Sequence, residues 1–130
     1  MRQSTIVIDV PGNEWLSANG REHRFDRARR TATLRKRACL LARHHGLPHY
    51  TGRVRVDFYV HTRTHNRMDP ANAYPTVKAL VDGLTDAGVW ADDDDTHLSG
   101  PVPHRGEHAP DLPVGFRRVT LTVTDLDEEA

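Results

Sequence analysis

Asp69, Lys78 and the run Asp92-Asp93-Asp94-Asp95 are spaced along the chain in a way that could serve phosphate chemistry. Carboxylates that converge offer hard oxygen ligands to Mg²⁺, which keeps several of its own waters. A Mg²⁺ beside a phosphodiester can activate water and stabilise the leaving oxygen, and Lys78 would then contact the phosphate. The residues between them decide whether they can converge. Val77, Leu80, Val81 and Leu84 recur at i, i+3, i+4 and i+7, which predicts a helix over about 73–87 with one apolar stripe. Asn72 can cap it, Pro75 suits its first turn, and Gly88 ends it. Such a helix is ~20 Å long, so Asp69 and Asp93 flank opposite ends. They meet only if Asp69 folds back along the helix or the acidic loop turns back over the sheet. The competing reading is a capped surface helix with acidic ends.

Histidine is the second candidate chemistry. His61/His65 and His104/His108 each stand four apart, a spacing that chelates Zn²⁺ on a helix. Neither segment reads as a helix and His-Glu-x-x-His is absent, so scattered surface histidines are expected. A His-rich transition-metal-binding protein stays open as an alternative. There is no Walker A loop, GxSxG, GxGxxG or zinc-finger spacing, hence no expected nucleotide cofactor. The lone Cys39 excludes an internal disulfide framework and a Cys-rich zinc site, and a reducing cytoplasm is the simplest compartment.

The chain of 130 residues has zero net charge, which conceals a polarity. Residues 1–67 carry fourteen Lys/Arg against five Asp/Glu, a balance of +9; residues 68–130 carry four against thirteen, a balance of −9. A basic half favours a polyanion. Alternatively, the halves neutralise each other within one fold.

The elements that must position these groups follow from periodicity. Thr5 to Val10 reads as a strand ended by Pro11-Gly12. From about Asp26, a possible N-cap, to His45 a helix is expected, with Leu34, Ala38 and Leu41 on its apolar side and Arg27, Arg29, Arg30, Arg35, Lys36, Arg37 and Arg43 around the rest. Arg53 to His61 alternates with Val54, Val56, Phe58 and Val60 on one face, and Arg117 to Thr124 alternates likewise. Thr96 to Val114 has room for a short edge strand whose position the pattern does not fix. The resulting β-α-β-α-β-β order predicts an α+β fold, one domain over 1–130, with two main helices packed on a small sheet and an acidic tail at 125–130 that frays. No stretch approaches the ~18 apolar residues of a membrane span.

The segments Asp69-Pro70-Ala71-Asn72, Pro75 to Leu84 and Asp86 to Asp93 together resemble the RusA family of Holliday junction resolvases. That family's hallmark runs Asp-x-Asp-Asn, a lysine on the following helix, Asp-x-Leu, Ala-Gly and then Asp-Asp. Trp15 to Arg21 looks like the family's loop after the first strand, and the resemblance spans about residues 5–97 and the last strand. It implies a homodimer with a small mixed sheet, and Mg²⁺-dependent symmetric nicking of four-way DNA junctions in recombination and repair. Mn²⁺ would be a substitute, and the setting a bacterial or phage-infected cytoplasm. Carried onto this sequence, the resemblance makes Asp69, Lys78 and Asp93 catalytic and Asp69, Asp92 and Asp93 the metal ligands. Asn19, Arg21, Arg24 and Arg67 are expected to line the DNA cleft. One departure matters: Ala71 stands where the family has its second aspartate, so the same fold could instead bind junctions with weakened or lost catalysis.

Overall fold

The computed structural model describes residues 2–65 and 68–127. In chain order it contains β1 (Gln3–Pro11), α1 (Arg24–His44), β2 (Val54–His61), a 3₁₀ turn (Pro70–Ala73), α2 (Tyr74–Asp86), β3 (Leu98–Arg105) and β4 (Phe116–Asp125). The fold is α+β, in the expected β-α-β-α-β-β order, with a mixed sheet.

The four strands lie in the order β1-β4-β2-β3. β4 pairs antiparallel with both β1 and β2, while β2 and β3 run parallel, joined through α2. A parallel pair needs such a crossover, because a hairpin cannot reverse the chain twice. The register places Ile6 opposite Leu121 and Ile8 opposite Val119. It also sets Val56 opposite Val123, Phe58 opposite Leu121 and Val60 opposite Val119. All are buried, so the period-2 pattern of three strands builds one apolar face. Leu34, Ala38 and Ala42 of α1 and Val77, Leu80, Val81 and Leu84 of α2 belong to the same core. Residues such as Thr5, Asp9, Tyr59 and Thr122 alternate onto the other, more polar face, as an antiparallel sheet covered on one side allows.

β3 is the strand that the pattern left unplaced. It is an edge strand with a single partner, and Pro101 and Pro103 are tolerable there because a proline N lacking hydrogen costs no ladder bond on an open side. Its register slips against β2 between Arg55 and Asp57. Gly100 makes the slip possible: its φ is 101°, and a Cβ there would lie 2.5 Å from the Val56 carbonyl oxygen.

Three local expectations are corrected. α1 starts at Arg24 with the His23 ring accepting from the Phe25 N–H, so Asp26 is not its cap. Asp26 sits inside the first turn, where it ion-pairs with Arg29 and Arg30 at i+3 and i+4. Asn72 does not cap α2 either. The 3₁₀ turn moves the side-chain cap earlier, to Asp69, whose Oδ1 accepts from Ala71 N at 3.0 Å, and α2 then follows from Ala73 with no side-chain cap. The tail is held through residue 127: Asp125 ends β4, Leu126 N donates to Arg53 O at 2.9 Å, and Asp127 Oδ2 accepts from Arg53 N at 2.7 Å. Residues 128–130 lie outside the described residues.

The two helices approach closely at Gly83. A Cβ on Gly83 would overlap the Arg35 carbonyl oxygen and lie 2.8 Å from the Ala38 Cβ. Gly83→Ala is therefore expected to lower stability by ~1–3 kcal/mol through overpacking, although alanine is the better helix former by ~1 kcal/mol. Urea unfolding reads the sign directly. A raised midpoint would mean that the helices do not touch here.

Candidate functional site

α2 turns its apolar stripe to the core and presents Lys78, Asp82 and Asp86 outward at i, i+4 and i+8. Lys78 Nζ donates to Asp82 Oδ1 at 2.7 Å and to Asp93 Oδ2 at 2.9 Å. Asp93 comes from beyond the C-terminal end of α2, so the acidic loop does turn back along the helix. Local chemistry explains the reversal. Gly88 adopts φ 82°, and Val89 N donates to Leu84 O at 3.1 Å, which closes the helix end in a Schellman-like turn. The fully buried Trp90 then anchors the returning chain, its indole N–H donating to Thr85 Oγ1 at 2.7 Å.

This arrangement fixes protonation states. The hydrogen bond and charge of Lys78 hold the Asp93 carboxyl below the usual carboxylate range. Burial pulls the Lys78 pKa down, but the bonds and charges of Asp82 and Asp93 together outweigh it and raise it above the ordinary lysine value. Lys78 thus stays an ammonium at neutral pH. It can hold a phosphate oxygen but cannot serve as a general base. Farther along the loop, the Thr96 hydroxyl and His97 ring bring Asp94 down to about 2.

Asp69 stands exposed just before the N-terminal end of α2. The N-terminal loop is tied to that end. Leu16 N donates to Thr76 Oγ1, which donates in turn to Leu16 O, both at 2.7 Å, and Ala18 N donates to Asn72 O at 2.9 Å. The neighbouring Asn19, itself exposed, is thereby carried alongside the segment that begins at Asp69. Arg21 and Arg24 are exposed as well, and the Arg24 guanidinium lies 5.0 Å over the Phe25 ring. Arg67 lies outside the described residues.

The structure brings Lys78 and Asp93 together and adds Asp82, whose i, i+4 spacing was the available signal. It does not bring Asp69 into contact with Asp92 or Asp93. Among the described residues, no three His, Cys, Asp or Glu are placed to hold a metal ion. Carboxylate oxygens are the hard donors that Mg²⁺ takes, but here they are not gathered at one point. Asp69 and Asp92 each commit one oxygen to a backbone N–H, of Ala71 and Asp93 respectively, and Asp93 commits one to Lys78. Each keeps a second oxygen for a water-rich ion that would be completed by substrate phosphate. Ala71 supplies no carboxylate to that set.

The basic helix is less available than its composition suggests. Arg27 pairs with Glu22, Arg30 with Asp26, Arg37 with Glu14 and Arg35 with Asp86. Arg118 joins Asp9 across the two halves of the chain. The first three of these pairs lie inside the basic half and Arg118–Asp9 joins the minority charge of each half, so of the five only Arg35–Asp86 sets a base of the first half against an acid of the second. Among the described residues, Arg21 and Arg24 take part in no ion pair, which leaves them for a polyanion.

The histidines do not pair as their spacing suggested. His61 is held by Glu107 O at 2.7 Å and Thr120 Oγ1 at 2.9 Å, and His104 by Asp57 Oδ1 at 2.8 Å. His65 and His108 meet instead, with ring centroids 3.7 Å apart. No sequence signal pointed to that contact, because it depends on the placement of β3. No helix is long and apolar enough to cross a membrane among the described residues. No protein-family model matches the chain, and no curated protein matches it.

Proposed function

We propose that this protein is a Mg²⁺-dependent endodeoxyribonuclease that nicks four-way DNA junctions, acting as a homodimer so that each protomer cuts one strand. One observation carries the reading: the acidic loop folds back along α2 so that Asp82 and Asp93 bracket the Lys78 ammonium. That places a permanent cation among carboxylates on the exposed flank of a rigid helix. In this reading the Lys78 ammonium exchanges a carboxylate partner for a phosphate oxygen as DNA arrives. Asp69, Asp92 and Asp93 are the acids that would hold the ion, Mg²⁺ or Mn²⁺, but they are not gathered in this structure, so the site would be completed only when DNA brings phosphate oxygens to it. The bound ion would supply water activation and stabilisation of the leaving oxygen. Asn19, Arg21 and Arg24 track the backbone beside the cut, with Arg67 as a further contact.

Two observations favour a second reading, junction binding without cutting: Ala71 removes one ligand, and Lys78 already neutralises Asp93. A nicking assay separates the two. Labelled four-way junction and linear duplex are incubated with Mg²⁺, Mn²⁺ or EDTA. Paired symmetric cuts on the junction are expected from the wild type, suppressed by EDTA and by Asp69→Asn or Asp93→Asn. Junction binding without cuts, with cutting gained in Ala71→Asp, would establish the binder. Binding that does not distinguish the junction from the duplex would end both readings.

A further inference from the structure

We propose that the cleft between the chain segments leaving β2 and β3 is a pocket for one unpaired nucleobase at the branch point of a DNA junction. The proposal rests on the DNA reading above and adds to it a site that takes a base rather than a phosphate. Because β2 and β3 are parallel, both chains leave the sheet at the same end. The exits are laced together: Gly106 N donates to Val60 O at 3.0 Å, and Ala109 N to Thr62 O at 2.7 Å. Between them lies a cavity of about 420 Å³, within the range of ligand pockets.

Its lining suits a heteroaromatic ring. Val60, Met68 and Pro70 give apolar surface, His65 and His108 give two imidazoles in contact, and Arg105 gives a guanidinium. Unstacked bases are recognised by stacking on His rings and Arg planes over apolar surface. A purely phosphate-binding cleft has no need of the apolar wall. The position is also informative, since Asp69 sits in the chain between two wall residues, Met68 and Pro70. A base lodged here belongs to a nucleotide close to the candidate carboxylate. Unstacking costs least where a base has already lost its neighbours, so the pocket would favour a branch point over intact duplex.

The test uses the whole protein and a four-way junction in EDTA, so that nothing is cut. The chain has two methionines, Met1 and Met68, so methyl-labelled methionine gives a direct view of the pocket wall. The Met68 methyl resonance is expected to shift when intact junction binds, and not when the branch-point nucleotides are abasic. The His65→Ala/His108→Ala double variant is expected to bind intact junction about tenfold more weakly, the scale of lost base–aromatic stacking, with no loss on the abasic junction. Phe at both positions keeps stacking rings and is expected to restore affinity. A wild type that prefers the junction, while the double variant loses equally on both DNAs, overturns the pocket alone. A wild type that does not bind the junction overturns the DNA reading together with the pocket.

Discussion

Lys78→Met is expected to slow junction nicking by about 10²–10³-fold, the usual loss when one preorganised donor to a reacting phosphate or oxyanion is removed. Methionine keeps the apolar stem of the lysine, so packing along α2 is preserved. The side chains of Lys78 and Asp93 are 42% and 41% exposed, and pairs of that kind contribute only ~0–1 kcal/mol. A large rate effect beside a small stability effect would therefore mark a role in chemistry. A second readout needs no DNA. Without Lys78 the Asp93 carboxyl loses the partner that lowers its pKa, and its titration followed by NMR should move upward. The pH dependence of stability follows in sign. The lowered Asp93 pKa contributes stability that is present above the unfolded value and lost as pH falls through the folded one. The raised Lys78 pKa contributes stability present below its unfolded value and lost as pH rises through the folded one. The gap in thermal midpoint between wild type and Lys78→Met should be widest near neutrality and close toward both extremes. Undiminished nicking would reduce Lys78 to a surface ion-pair partner.

What the sequence disclosed about this fold depends on how each residue is buried. β2 and β4 were legible because a strand covered on one side places its large apolar residues at every second position, as Val54, Val56, Phe58 and Val60 do. α2 was legible because its stripe is made of large residues. α1 was read less well, for a physical reason. Its buried positions are Leu34, Ala38 and Ala42, whereas the pattern pointed to Leu41, which is only half-buried, and Leu40 is exposed. Small residues mark this interface because α1 lies close to Gly83, and hydropathy gives an alanine little weight. β3 was illegible because an edge strand with Gly100, Pro101 and Pro103 has no apolar alternation and Val102 as its one β-branched residue. The His65–His108 contact was lost with it. At the candidate site, the residue types and the i, i+4 link from Lys78 to Asp82 were readable. The return of Asp93 to Lys78 was not, since it turns on the left-handed conformation of Gly88 and the anchoring of Trp90. The charge halves gave a net balance but not which bases are available: Arg27, Arg30 and Arg37 are engaged by Glu22, Asp26 and Glu14.

Thr76→Val is expected to cost ~2–4 kcal/mol while changing the shape of the side chain very little, because two buried polar groups are each left unpaired at ~1–3 kcal/mol. Thr76 is fully buried and Leu16 is 1% exposed, so water cannot replace the lost hydroxyl. That hydroxyl both accepts from Leu16 N and donates to Leu16 O. It ties the N-terminal loop to α2 directly, while Ala18 N ties the same loop to the preceding turn through Asn72 O. The variant should show a lowered urea midpoint and faster amide exchange at Leu16. Thr76→Ser keeps both hydrogen bonds and should recover most of the loss. The functional consequence separates two parts of the site. Lys78 follows Thr76 by two residues, but α2 stays packed through Val77, Leu80, Val81 and Leu84 and Asp93 returns from beyond Gly88, so the low Asp93 titration should survive in Thr76→Val. Junction affinity should fall, because Asn19 and Arg21 ride on the loosened loop. If affinity is unchanged while the Leu16 amide exchanges quickly, that loop does not meet the DNA, and recognition has to be sought on the Arg24 end of α1.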